Sequence, residues 1–334
     1  MLLNHASEIA ISQARTPDQR NCPVCAAQNP LNWMTAPDRF HGRTKQYQLL
    51  RCVSCSLVWL DDPPSKSEMG MHYGLDYDRT ISTAAKAPDH WFGRRDELLR
   101  LKPGGGALLD LGCASGGFLS TLKGPSWELF GIEMSEDAAQ VARTRCGAEV
   151  FVGDVQDAPF APETFDAITC FNVFEHVYEP REVLARVSSW LKPGGIFLTM
   201  MPNIDSAGAR IFKSYWYGLE LPRHLYHFSP KTLNALAQSV GLREVFVTTQ
   251  RDLYFERSVG YIRDDAFRKI GIGRRPAAQV AGPSLAWKVL RKAFRLTMLP
   301  LIAAGSSLAG DGEIVYAAFT KKGASDMATV GAPD

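Results

Sequence analysis

The sequence predicts an α/β protein built on a parallel sheet, with a small cysteine-rich module in front of it. Three observations carry that prediction. Residues 107–117 read ALLDLGCASGG, an apolar run that meets an acid and then a glycine-rich turn. Four further apolar stretches follow at 127–133, 148–154, 165–172 and 196–202, each spaced to leave a helix between neighbours. Two CxxC pairs, Cys22/Cys25 and Cys52/Cys55, precede them.

Composition sets the outer limits. The 334 residues are 46% hydrophobic, enough for a full core, and the formal net charge of +2 is too small for a wholesale nucleic-acid binder. The opening MLLNHASEIAISQART has no charged region followed by a sustained apolar core, so no secretion signal is expected and a cytoplasmic location is.

The first element is the cysteine module, 1–64. Each CxxC turn can point two thiolates at one tetrahedral centre, and the span between the pairs can form a hairpin and return. A structural Zn2+ held by Cys22, Cys25, Cys52 and Cys55 is expected, with no position left for catalysis. Free thiols or one disulfide is the alternative reading, and His41 is a polar loop residue. Residues 65–105 form a linker in which Tyr73, Tyr77 and Trp91 either cover a ligand or pack locally.

The sheet domain spans 106–322. Leu108, Leu109 and Leu111 end the first buried strand. Gly112, Gly116 and Gly117 let the backbone turn sharply and approach a ligand, and Phe118–Leu122 can begin a helix. The second strand, WELFGIE, ends in Glu133, and the third, AEVFVGD, ends in Asp154. The fourth, FDAITCFN, opens into FEHV and a helix, and LKPGG at 191–195 is a tight turn before the fifth. Residues 203–230 follow the carboxyl end of that strand and should hang over the pocket as an aromatic lid. Ser229-Pro-Lys-Thr starts a helix. Strands six (243–249) and seven (313–320) close the sheet around a long insert, 251–312, and 323–334 form a disordered tail.

Taken in order and spacing, DLGCASG at 110–116, GIEMS at 131–135, GDVQDAPF at 153–160, FDAITCFNVFEHV at 165–177 and LKPGG resemble the class I S-adenosylmethionine-dependent methyltransferases. A dinucleotide dehydrogenase would normally show GxGxxG, and the middle glycine is missing here. The resemblance covers about residues 90–320 and implies a Rossmann-like seven-stranded methyltransferase sheet. RCVSCSLVWLDDPP at 51–64 is similar to zinc-ribbon modules ahead of some bacterial methyltransferases.

The resemblance also implies roles. Asp110 would hold the ammonium of S-adenosyl-L-methionine. Backbone N–H groups of the turn at Gly112, Ala114 and Gly116, with the following helix N-terminus, would meet its carboxylate. Glu133 would accept from the ribose hydroxyls and Met134 would lie on the adenine. Asp154 would accept from the exocyclic amine, with the Val155 N–H on the ring, and Phe171 and Asn172 would floor the methionine end. Asp154 as a simple cap and Phe171 as core remain open.

PRHLYHFSP at 222–230 resembles a segment of methyltransferases from polysaccharide and secondary-metabolite clusters and of some quinone-pathway relatives. His224 and His227 are candidates for general base or acceptor orientation. His176 is a third candidate that can also pack behind the pocket. Arg223 either meets an acidic substrate group or is exposed. The expected reaction is methyl transfer to a small-molecule or lipid-linked acceptor, foremost a sugar or secondary-metabolite hydroxyl. An RNA methyltransferase using the module as a grip, and a non-catalytic scaffold, are alternatives. The segment 275–310, with Lys288, Arg291, Lys292 and Arg295, suits packing, a homodimer face or peripheral contact at the inner membrane surface.

Overall fold

The computed structural model describes residues 21–73, 89–269, 292, 296–297 and 312–322. Most of 275–310, Tyr77 and the 323–334 tail lie outside these. Strands β1 (Leu31–Pro37), β2 (Gln46–Arg51) and β3 (Val58–Leu60) form the cysteine module, followed by a short helix α1 (Lys66–Met69) and by α2 (Asp89–Leu101). The sheet domain then runs β4 (Gly106–Leu111), β5 (Trp127–Glu133), α3 (Glu136–Cys146), β6 (Glu149–Val152), β7 (Phe165–Phe171), α4 (Pro180–Trp190) and β8 (Leu191–Pro202). Next come α5 (Ala207–Phe212), β9 (Tyr226–His227), α6 (Pro230–Ser239), β10 (Leu242–Gln250), α7 (Tyr254–Lys269) and β11 (Ile314–Lys321).

Seven strands lie in the order β10-β11-β8-β7-β4-β5-β6. The run from β6 to β8 is parallel, and β11 inserts antiparallel between β8 and β10. Alternate residues feed opposite faces. Leu109, Ile168, Phe197 and Val315 enter one core, while Leu108, Ala167, Leu198 and Tyr316 enter the other. Both faces are covered, so these strands read as continuous apolar runs. Helix α4 turns a stripe of Val183, Leu184, Val187 and Trp190 inward at helical spacing. The Ser135 hydroxyl caps α3, and Ser229 forms a capping box with Thr232 on α6, at the helix start expected from Ser229-Pro-Lys-Thr.

Two local expectations are corrected. The helix expected from Phe118 is a single 3-10 turn, Leu119–Leu122. Ser120 and Thr121 hydroxyls donate back to the carbonyls of Gly117 and Phe118, and Gly124-Pro125 prevents extension. The glycine turn therefore gains no substantial helix dipole. LKPGG is not a separate turn but a bulge inside β8. Leu191 pairs with Phe165 and Ile196 with Ala167, and Gly194 sits at φ 74° between them.

The module is joined to the lid through backbone. Its hairpin β1–β2 continues to β3, and β3 pairs antiparallel with β9 from the 203–230 segment. Leu60 N–H donates to Leu225 O at 2.9 Å. Leu49, Trp59 and Leu60 share one buried cluster with Leu225, Phe228 and Trp216. Arg181 of α4 donates to the carbonyls of Pro23 and Val24 in the first knuckle.

Candidate functional site

Four thiols converge at the tip of the module. Cys22 Sγ lies 3.4 Å from Cys55 Sγ and Cys25 Sγ 3.5 Å from Cys52 Sγ, and all four lie within 4.8 Å of one another. A tetrahedral zinc with Zn–S near 2.3 Å spaces its sulfurs about 3.8 Å apart, so the donor set fits a closed four-thiolate centre. The N–H groups of Ser54 and Cys55 point at Cys52 Sγ. Burial pushes the Cys52 thiol up, but the N–H groups of Cys55 and Ser54 outweigh it and leave it at about 7. All four are free of disulfides. His41 instead pairs with Asp38.

At the carboxyl ends of β4 and β5 the glycine turn meets Glu133. Ala114 N–H donates to Glu133 Oε2 at 3.0 Å and Ser135 N–H to Oε1 at 2.9 Å. Each oxygen thus keeps a lone pair for a further donor. Ala114 holds φ 46° and Gly112 φ 66°, and a Cβ on Gly112 would lie 2.4 Å from Val173 Cγ2. Only glycine fits there. A Cβ on Gly116, also left-handed, would crowd Ala142 at 3.1 Å. Met134 is 71% exposed beside the clamp, a free apolar surface for a planar ring.

The other expected cofactor residues are engaged with protein. Asp154 caps a 3-10 turn at Val155 by accepting from Gln156 N–H, and it binds Lys66 Nζ at 2.7 Å. Burial raises its carboxyl, but Lys66 and Gln156 pull it below the usual range. Phe171 stacks edge-on with Phe118 at 5.1 Å and tilts against Trp91 at 5.9 Å, a packing role shared with the sheet core. Asn172 follows it at φ 55°.

Asp110 is buried and accepts the Thr169 hydroxyl at 2.6 Å. Burial pushes its carboxyl up to about 7 against the pull of Thr169. A raised acid stabilises the fold fully below its unfolded pKa near 3.8 and loses that contribution as pH rises through about 7. Between about pH 5 and pH 8 the ligand-free protein should lose on the order of 3 kcal/mol more stability than Asp110→Asn. Urea denaturation at both pH values checks it; equal losses refute it.

A third group lies beyond the end of β7, where Glu175 and His176 occupy a 3-10 turn, Phe174–His176. His224 and His227 from the lid pack against it. His224 Nδ1 donates to Gly218 O at 2.8 Å, which leaves Nε2 unprotonated in the neutral ring. That nitrogen faces Glu175 Oε1 at 3.9 Å and Glu220 Oε1 at 3.7 Å. His176 Nδ1 donates to Arg223 O at 3.0 Å and sits 3.1 Å from Tyr73 OH. The His176 and His224 rings are 4.7 Å apart, and His224 and His227 6.2 Å. Burial lowers His176 and His224 to about 3, with His224 adding to the effect on His176. Among the described residues, neither ring nitrogen of the buried His227 has a hydrogen-bond partner. Arg223 is not exposed: it is 3% accessible, paired with Glu220 and stacked over Phe40 at 4.1 Å. Sequence reasoning missed Glu175 and Glu220. The acid beside His176 in FEHV was the available signal.

Three findings compare the chain with known proteins. A family model described as a methyltransferase domain matches residues 84–245. Relatives named ubiquinone biosynthesis O-methyltransferase, from Xanthomonas axonopodis pv. citri and Thiobacillus denitrificans, are 30% and 31% identical over 156 and 150 residues. These matches cover 43% and 41% of this chain but 65% of each relative's length. A solved phosphoethanolamine N-methyltransferase 2 from Haemonchus contortus, in complex with S-adenosyl-L-methionine, is 18% identical with a TM-score of 0.46, covering 70% of this chain and 53% of that one. The glycine turn, the strand order and the matched residues agree: residues 84–245 belong to the methyltransferase domain family, within the Rossmann-like seven-stranded sheet expected from the sequence.

Proposed function

We propose that the protein moves a methyl group from S-adenosyl-L-methionine to a hydroxyl of a small-molecule acceptor, foremost a sugar or secondary metabolite. The observation that carries the reading is the Glu133 clamp beside the glycine turn, with a buried histidine cluster after the end of β7 in the same parallel sheet. The relatives' O-methyltransferase names support oxygen as the acceptor atom.

When bound, S-adenosyl-L-methionine supplies a methyl carbon already activated by positive sulfur. Glu133 would take its two ribose hydroxyls, Met134 its adenine face, and the Gly112–Gly116 turn its carboxylate. Asp110 would meet the ammonium, which favours the ionised acid. Asp154 and Val155 would border the adenine, with Lys66 yielding Asp154 to the exocyclic amine. The lid would exclude water and hold the acceptor in line. As the oxygen–carbon bond forms, the hydroxyl proton would pass to His227, whose ring nitrogens have no other partner. His224 and His176 would orient the hydroxyl. We further propose zinc at Cys22, Cys25, Cys52 and Cys55, a structural crosslink with no open coordination position.

His227→Ala should lower kcat by about 10²–10⁴ with cofactor affinity within threefold. Single-turnover assays with labelled methyl donor, alongside calorimetry, check it. An unchanged kcat removes His227 from the reaction. Among the described residues no helix is long and apolar enough to cross a membrane.

A further inference from the structure

The buried group behind the lid holds more acceptors than donors. Glu175 is 2% exposed, and among the described residues no other residue donates to either carboxylate oxygen. His224 Nε2, with its lone pair outward, faces that carboxylate and the Glu220 carboxylate. His224 Nε2 thus lies within 4 Å of one oxygen of each carboxyl group, too far for a hydrogen bond to either. Glu220 is paired with Arg223, and burial pushes the Glu175 carboxyl up to about 8. A buried carboxyl with no hydrogen-bond partner among the described residues, set beside two imidazoles, has the donor atoms to hold an ion.

The local architecture is that of ligands, not of a failed hydrogen-bond network. One carboxylate oxygen of Glu175 and one ring nitrogen each of His176 and His224 lie within 4.8 Å of one another. Both imidazoles donate Nδ1–H to a backbone carbonyl, Gly218 O for His224 and Arg223 O for His176. Metal-bound histidines are usually oriented by such a bond, which fixes the tautomer and raises ligand basicity. The backbone around the group is pinned too, because Leu225 N–H donates to Glu175 O at 2.8 Å. Two nitrogens and one carboxylate oxygen suit a borderline divalent cation and leave positions open.

We infer that Glu175, His176 and His224 form a divalent-cation site of the zinc, manganese or iron class, separate from the four-cysteine centre. Its open positions would receive the acceptor hydroxyl. That last role rests on the methyl-transfer reading; the binding of the cation does not. A hydroxyl on the cation would have a lowered pKa, and His227, whose ring nitrogens have no hydrogen-bond partner among the described residues, would take its proton. The methyl carbon then bonds to that oxygen as its bond to sulfur breaks, leaving neutral thioether, and no oxidant or reductant is needed.

The test uses the full chain with its cysteine centre loaded with zinc. Co2+ is titrated in and followed by its visible d–d absorption, with thiolate charge-transfer absorption reporting any displacement at the cysteines. We expect one Co2+ per chain without the thiolate band. Affinity should fall at least tenfold in Glu175→Gln and in His224→Ala. Calorimetry with S-adenosyl-L-methionine serves as the folding control, and the near-isosteric Glu175→Gln keeps the test decisive if His224→Ala does not fold. Absence of Co2+ binding, a thiolate band, or unchanged affinity in Glu175→Gln overturns the site. Co2+ bound as expected with no methyl transfer to any acceptor overturns the proposed activity and leaves the cation site standing.

Discussion

Cys52→Ser, or removal of metal from the cysteine centre by a chelator, should lower Tm by more than about 10 °C and cut kcat/KM for the acceptor by at least about 10². The expected size follows from the zinc proposed for the centre. Structural zinc in small modules contributes an apparent 10–16 kcal/mol, about as much as the whole stability of many domains. The module has three short strands, and its first CxxC knuckle is tied to the rest by Arg181. The damage reaches the reaction through β3. That strand pairs with Tyr226 and His227, and Leu60 fixes Leu225, so the lid histidines hang from the module's sheet. Cofactor affinity should stay within about threefold, because the turn and Glu133 belong to β4 and β5 on the far side of β7. Calorimetry for the cofactor and steady-state assays for the acceptor separate the two effects. Full acceptor turnover in metal-free protein would refute the coupling.

The second large effect is at the clamp. Glu133→Ala should weaken S-adenosyl-L-methionine binding by more than tenfold. A hydrogen bond to a charged group contributes about 1.5–3 kcal/mol, and 1.4 kcal/mol is tenfold in affinity. The substitution has a second cost, since Ala114 and Ser135 N–H groups lose their acceptor. Glu133→Gln separates the two. It keeps one oxygen as acceptor for a backbone N–H and sets a donor against the other, so it should weaken binding by an intermediate factor. Isothermal calorimetry measures both variants. Parental affinity in Glu133→Ala would remove the ribose assignment.

Much of this site was legible because it depends on residues close in sequence. Gly112, Ala114 and Glu133 meet through two adjacent parallel strands, and a parallel sheet follows from apolar runs alternating with helices. The cysteine pairs were legible by spacing alone. What escaped reading depends on distant segments meeting. Nothing local to YH at 226–227 shows that it completes the module's sheet, because a two-residue strand has no periodicity to detect. Glu175 and Glu220 look like ordinary surface acids until the lid, which carries Glu220, folds over Glu175. Phe118–Leu122 read as a helix from its apolar residues, but Ser120, Thr121 and Gly124-Pro125 limit it to one turn. Arg223 read as either a substrate contact or an exposed cation, because its burial over Phe40 depends on a distant segment of the module.

The pairing of β3 with β9 also has a consequence for synthesis. A ribosome delivers Val58–Leu60 roughly half a chain before Tyr226–His227. At 5–20 residues per second, that strand edge waits on the order of ten to thirty seconds for its partner. During that wait its free N–H and C=O groups, flanked by Leu57 and Trp59, can be taken by another nascent chain. The brevity of the strand limits that hazard, and early capture of a cation by the two cysteine pairs would limit it further, by holding the module closed until the lid arrives.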